Sequence, residues 1–486
     1  MRYYIILLLG LYFTSCNNSV SNIDKTQEEK NIIEISNKNP RLDKEGNIVD
    51  VHDGRVVKFK NTFYWYGTSY ANTNGFTTAN NYNVYSSKDL KVWKKEGRLL
   101  PSQPEGVYYR PHVIYNEDTK KYVLWYNWYP KLWDGQFGVA TSDTPIGPFT
   151  IINDNVKMVR SDVGLGDFGL FVDDDKTAYI SYNTIKNHQV SIEKLNNDYT
   201  GSTFENGGII AEHMEAGSQF KRNDTYYLLT DYTCCFCNYG SGARVYTSKN
   251  PITGYQQIGN INRYPGNRDL RLNDGDLTGT LYTTLTKTDS IYNSIELQLE
   301  NRIPISELKV YTFTGNRPEN CGDVANPRVH PEIEIPGFNI EFWNTTAWET
   351  IETKHIKTQK TALNTVLTLS FDSLETYQLR LRPKAENTED AIYINEIALN
   401  DNNIDFKAYV TGKNIPQRPI IPAQQTYVMP LDTENGREFI WMGDLWGSAS
   451  DNIKGHDYQY WSAPLEFRAD GSIKQMIWRD NWEVNL

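Results

Sequence analysis

Three carboxylates stand just ahead of strands dense in aromatic residues. Asp53 lies in "IVDVHDGRVVKFKNTFYWYGT" (48–68), Asp167 in "GLGDFGLFVDDDKTAYISY" (164–182), and Glu215 in "EHMEAGSQFKRNDTYYLLT" (212–230). Brought together, such a set suits glycosidic bond hydrolysis. One carboxyl must stay neutral near pH 7 to protonate the leaving oxygen, and a second must be ionised to activate water. A third raises the acid's pKa, because nearby carboxylates resist joint ionisation. Taken alone, Asp53-Gly54 is also an ordinary turn dipeptide. His52 and Asp53 therefore either close a turn or aim at a shared site. The run Asp173, Asp174, Asp175 reads as a turn between strands.

The elements that would position these acids form a repeat. "TFYWYGTSY" (62–70), "KYVLWYNWY" (121–129), "AYISYNT" (178–184), "TYYLLTDY" (225–232) and "EFIWMGDLW" (438–446) share one pattern. Companion strands follow the second and fourth copies, "FGVATSDTPIGPF" (137–149) and "ARVYTSKNPITGY" (243–255). A spacing of about 50–60 residues with several strands per copy predicts propeller blades. Little of the chain has the period of a long amphipathic helix, so the expectation is an all-β protein. The fifth copy arrives about 210 residues after the fourth, which leaves an excess of roughly 150 residues beyond one blade. That excess contains "SIELQLE", "ISELKVYTFTG", "TVLTLSF", "YQLRLRP" and "AIYINEIAL", enough alternating strands for a β-sandwich of its own. The expected organisation is a signal over 1–15, a tether over 16–44, blades one to four over 45–262, an inserted jelly-roll sandwich over 263–415, and blade five over 416–486. The tail by itself is one blade and too small to stand as a domain.

Composition narrows the classes further. The net charge of −11 comes without a long basic run, which argues against nucleic acid. Tyr (33) and Trp (12) are abundant; most will pack between strands, and such rings also stack on sugars. Arg2, the apolar run "YYIILLLGLYF" and the small residues before Cys16 resemble a bacterial lipoprotein signal, with Cys16 lipidated. The plainer reading is an ordinary cleaved signal. The run is too short to span a bilayer as a mature helix. "NNSVSNIDKTQEEKN" has the polarity of a disordered tether. The expected location is outside the cytoplasm, on a bacterial membrane held by the lipid. The "CCFC" segment with Cys234, Cys235 and Cys237 lacks the second ligand pair of a zinc site, since only Cys321 remains. A local disulfide is the expectation, with its connectivity open.

The motifs then resemble glycoside hydrolase family 43, whose five-bladed propellers invert the anomeric centre. "HDGRVV" followed by Tyr-Gly-Thr stands where that family has Asp-Pro before an aromatic strand. "DFGLFVDDD" stands where it has Asp-Pro, a Phe strand and Asp-Asp-Gly, and "EAGSQFKRNDTYYLL" where it has Glu-Gly/Ala-Pro. The resemblance implies Asp53 as general base, Asp167 as pKa modulator and Glu215 as general acid. It also implies sugar contacts by His52, Arg110, His112, Arg244 and Gln425, with Trp446 as a stacking wall. For each of these the alternative is a structural role. No cofactor is required, although the family allows a calcium ion on the propeller axis. The phrases "RPHVIYNEDTKKYVLWY", "GLFVDDD" and "MGDLW…YWSAPLEF" are similar to the exo-β-1,3-galactanase branch, and "LNDGDLTG" (272–279) to the opening of discoidin-like modules. Those galactanases carry Gly where this chain has Asp53. The expectation is therefore release of terminal β-D-galactofuranose or α-L-arabinofuranose from oligo- or polysaccharides, with exo-β-1,3-galactanase activity as the alternative. A non-catalytic glycan-binding lipoprotein, or a propeller used for protein contacts, would leave the acids idle.

Overall fold

The computed structural model describes residues 32–486 apart from 233–234, 237–241, 278–281, 314–315, 318–327, 330–336, 362–363, 388–389 and 402–403. Five antiparallel sheets form a propeller. Blades one to four have four strands each, with innermost strands His52–Phe59, Val107–Asn116, Leu165–Val172 and Met214–Arg222. Blade five has three: Gln424–Thr433, Gly436–Leu445 and Tyr458–Trp461. Each innermost strand touches the next, and that of blade five touches both blade four and blade one, closing the ring. The aromatic second strands explain the packing. Trp65, Trp125 and Trp441 are fully buried between blades, where flat, wide side chains fill the space between twisted sheets.

Strands near the two ends of the described residues seal the seam between blades five and one. Ile32–Ser36 pairs antiparallel with Asn481–Asn485, and Ile33, Ile35, Trp482 and Val484 join the core around Trp65, Trp93 and Trp461. The tether expected over 16–44 therefore gives way at Ile32 to a strand with alternate residues buried. Its earlier part, with Cys16, lies outside the described residues.

Between blades four and five the chain builds a second unit. It leaves and returns side by side: Arg263 bridges Pro419, Ile420 N–H donates to Asn262 O (3.1 Å), and Asn262 Nδ2 donates to Ile421 O (2.9 Å). The unit is the expected β-sandwich-like region, built from one curled ten-stranded antiparallel sheet. The segments expected as four strands are two of twenty residues each, Ser294–Phe313 and Asn364–Pro383, paired along their length. Register shifts at Gln298/Ile303 and Ile305/Glu307 bend the pair, and the bend lets a single sheet wrap its own apolar face. Leu297, Leu308, Val310, Leu369, Leu379 and Ile394 fill that core.

Candidate active site

Every innermost strand of the propeller carries a bulge near its start. The shifts fall at His52/Arg55, Tyr109/His112, Leu165/Phe168, Glu215/Ser218 and Gln425/Tyr427. Bulges break the two-residue alternation and re-aim side chains, and they are frequent beside active sites. Here they bring Asp53, Arg110, Asp167 and Glu215 from four blades to one funnel. Asp53 and Arg110 adopt left-handed backbone angles, with φ of 54° and 49°. Such angles cost non-glycine residues free energy and must be held by their surroundings.

At Asp53 the holding group is Asp444 of blade five, whose Oδ2 accepts the Asp53 backbone N–H at 2.7 Å. Burial pushes Asp444 up to about 7. Thr68 and Tyr70 hydroxyls donate to Asp53 Oδ2, at 3.2 and 2.9 Å. Oδ1 receives no hydrogen bond among the described residues. The following Gly54 is required sterically, because a Cβ there would stand 2.6 Å from Val51 O and 2.5 Å from Trp65 Nε1. The His-Asp-Gly stretch is thus the start of a bulged inner strand and not a connecting turn.

Arg110 is the cation of the funnel. Its Nε pairs with Asp167 at 2.8 Å, and a terminal nitrogen donates to Gln425 O at 3.3 Å. Burial works against its charge, but Asp167, Asp53 and Glu215 outweigh burial and hold it above its ordinary value. Arg55 lies deeper, fully buried, and donates to the carbonyls of Asp53, Pro111 and Phe168 from three blades. Burial, together with Arg110, brings Arg55 down to about 9. His112 accepts the Leu170 N–H on Nδ1 at 3.0 Å, so its proton sits on Nε2. Burial and Arg55 hold it well below its ordinary value. These groups do not suit a calcium ion at this level, since Arg55 already brings positive charge to the inner strands. Among the described residues no group of three His, Cys, Asp or Glu could hold a metal.

Glu215 is 3 % exposed. Burial raises it well above the usual carboxyl range, and repulsion from Asp167 adds to that, while Arg110 pulls the other way. The largest cause is therefore desolvation rather than the neighbouring acid. Gln424, which the sequence reading passed over, donates to Glu215 Oε2 at 2.9 Å. Its own Oε1 accepts from Trp446 Nε1 at 2.7 Å. An indole N–H can only donate, so this fixes the amide's orientation and makes Gln424 the donor to Glu215. The proton of Glu215 is left to Oε1. Cys235 Sγ stands 4.0 Å from that oxygen as an unpaired thiol, and the other cysteines of the expected disulfide lie outside the described residues.

The remaining expected contacts divide. Trp446 and the fully buried His52 stack with each other and with Tyr70, with centroids 4.8–6.0 Å apart, and Phe236 packs edge-on against Tyr70 (5.9 Å), Tyr109 (6.2 Å) and Trp446 (5.3 Å). Gln425 has both ends of its amide committed inside the protein, to Leu229 O (2.8 Å) and Trp441 Nε1 (2.8 Å). A Cβ on Gly217 would lie 2.0 Å from that amide nitrogen, which explains glycine where the family has proline. Arg244 donates to the Tyr232 hydroxyl at 2.7 Å and lies over its ring, turned to its own blade. Asp231 and Asp444 were also passed over, because nothing in their spacing marks them. Asp231 accepts three backbone N–H groups, and burial raises it to about 7.

Comparison with known proteins fits this geometry. No curated protein matches the chain in sequence. In solved structures, an exo-β-1,3-galactanase from Clostridium thermocellum overlaps 94% of this chain and 67% of its own, with TM-score 0.53 and 19% identity. A family 43 β-1,3-galactosidase solved with galactodeoxynojirimycin overlaps 92% of this chain and 99% of its own, with TM-score 0.54 and 18% identity. Overlaps of that extent take in the inserted sheet as well as the propeller, and they show a shared fold. Residues 47–262, which supply Asp53, Asp167 and Glu215, match the model of glycosyl hydrolases family 43, so this propeller segment is that of a glycosidase.

Proposed function

We propose that the protein is an inverting, exo-acting glycosidase that removes terminal galactosyl units from β-1,3-linked galactan. The observation that carries the reading is Glu215, buried, held above the usual carboxyl range and tied at Oε2 by Gln424, with Oε1 facing only the Cys235 thiol at 4.0 Å among the described residues. In this reading Oε1 protonates the departing glycosidic oxygen. Asp53 takes the proton of the attacking water through Oδ1, the oxygen not occupied by Thr68 and Tyr70. Arg110 and Asp167 hold the sugar and set the field around the acid. Phe236 lies across Tyr70 and Tyr109, which favours a blind pocket that accepts a chain end. The galactosyl preference is supported by the named activities of the two structures above and by the galactanase-like phrases of the sequence.

One observation favours a furanosyl substrate instead, namely the carboxylate at Asp53 where the galactanase branch has glycine. A panel of aryl galactopyranosides, galactofuranosides and arabinofuranosides beside β-1,3-galactan decides between them. Turnover of galactan with inversion, seen by NMR of the first-formed anomer, is the expected result. Turnover of furanosides alone would refute the galactosyl reading. Glu215→Gln should slow poor leaving groups by about 10²–10⁴ and spare activated ones, and Asp53→Asn should slow both. Export and lipid anchoring through Cys16 belong to the same proposal, since a secreted glycan-degrading enzyme gains from being held at the surface where its substrate arrives.

A further inference from the structure

A cleft of about 860 Å³ opens where the inserted sheet leans on the outer strands of blades four and five, and none of the funnel carboxylates lines it. Its sheet-side wall carries Glu296, 9 % exposed on the long strand Ser294–Phe313. Gln378 donates to Glu296 Oε2 at 3.2 Å. The nearby Arg380 is committed elsewhere, to Glu341 at 2.5 Å and to the face of Trp348 at 4.2 Å. Glu296 thus forms no ion pair among the described residues, and burial raises it to about 7.

Beside it, Trp343 and Trp348 are half-buried at the tip of one hairpin, with ring centroids 5.5 Å apart. Further charges of both signs line the cleft, among them Lys407, Arg479 and Asp405. Arg468 lies over Tyr377 at 4.0 Å, and Lys474 pairs with Glu300 (2.7 Å) and Glu466 (3.2 Å). A ligand seated against this wall meets an acceptor carboxyl beside indole surface. An apolar ligand would strand Glu296, and on a lining of both signs an anion would meet Glu296 and Asp405 while a cation would meet Arg468, Lys407 and Arg479. A polyhydroxylated, uncharged ligand answers both parts, with hydroxyls donating to the carboxyl and a C–H face against the ring. A cleft of this size suits a short oligomer.

We propose that the cleft is a second saccharide site, holding an internal stretch of the same neutral glycan whose end the funnel trims. The choice of galactan as that glycan rests on the activity proposed above. Holding the chain would raise the local concentration of ends at the funnel.

The test is calorimetric titration of the full-length Glu215→Gln protein with β-1,3-galactotriose. Two sites per chain are expected. Adding Glu296→Gln or, separately, Trp343→Ala should weaken one site tenfold or more. In the otherwise wild-type enzyme these same changes should leave kcat/KM for a cleavable aryl glycoside within twofold, which also reports an intact fold, and raise KM for polymer several-fold. A single site in the parent, or two sites unchanged in both variants, overturns the proposal whether or not galactan is hydrolysed. Hydrolysis of galactan by the wild type reports separately on the activity.

Discussion

Replacing Gln424 with leucine removes one hydrogen bond from the general acid and nothing from its charge environment. In the ionised state of Glu215 that bond is charge-assisted, and in the neutral state it is an ordinary one. Their values differ by about 1–1.5 kcal/mol, and about 1.4 kcal/mol corresponds to one pKa unit. The bond favours the ionised form, so its loss should raise the Glu215 pKa by about one unit. A general acid works only while protonated. The alkaline limb of kcat/KM against pH should therefore move up by about one unit in Gln424→Leu. The measurement is a pH profile on a galactoside with a poor leaving group, whose departure needs the proton. Gln424→Glu is the contrasting variant. A second carboxyl against Oε2 must share a proton with Glu215, which should push the limb up further and make it titrate in two steps. An alkaline limb that stays in place or moves down in Gln424→Leu would refute the orientation argument from Trp446 Nε1 through Gln424 to Oε2.

Gly217→Ala puts a Cβ 1.6 Å from Leu229 O, so it should destabilise the fold by about 3 kcal/mol, seen as a lower midpoint in urea unfolding. Arg110→Met leaves Asp167 without its cation and Glu215 with one fewer positive neighbour. Stability should fall by about 3 kcal/mol, and the alkaline limb should shift upward, because Arg110 favours the ionised acid. Cys16→Ser should abolish labelling by a fatty acid in the expressing bacterium and release the protein from the membrane fraction; labelling that persists would remove the lipoprotein assignment.

How much of this was legible in the sequence varies by residue. Asp53, Asp167 and Glu215 could be picked out because each stands just ahead of an aromatic strand at blade spacing, and a repeat makes equivalent positions visible. The curl of the inserted sheet could not. "SIELQLE" and "ISELKVYTFTG" look like two strands because the register shifts between them break the alternation, yet the backbone runs through as one. The final residues of the propeller read as a blade, but the strand formed by Ile32–Ser36 with Asn481–Asn485 joins positions at opposite ends of the chain, and no local pattern marks such a pairing.

The sharpest case is the pair Gln424 and Gln425. Sequence could place a polar pair at the start of the fifth inner strand, but adjacent residues in a strand point to opposite faces, and a bulge decides which faces the funnel. The bulge at Gln425/Tyr427 turns Gln425 into the blade, where Leu229 and Trp441 satisfy it, and leaves Gln424 on Glu215. The sequence by itself determined the all-β repeat, the three acids and their order, because strand period and aromatic spacing are local properties. Tertiary structure alone decided that the Glu215 carboxyl is raised above its usual range and which of its oxygens Gln424 holds, and that Arg55 is buried against the inner strands of three blades. Burial, and the direction of a donor from another blade, exist only once the ring has closed.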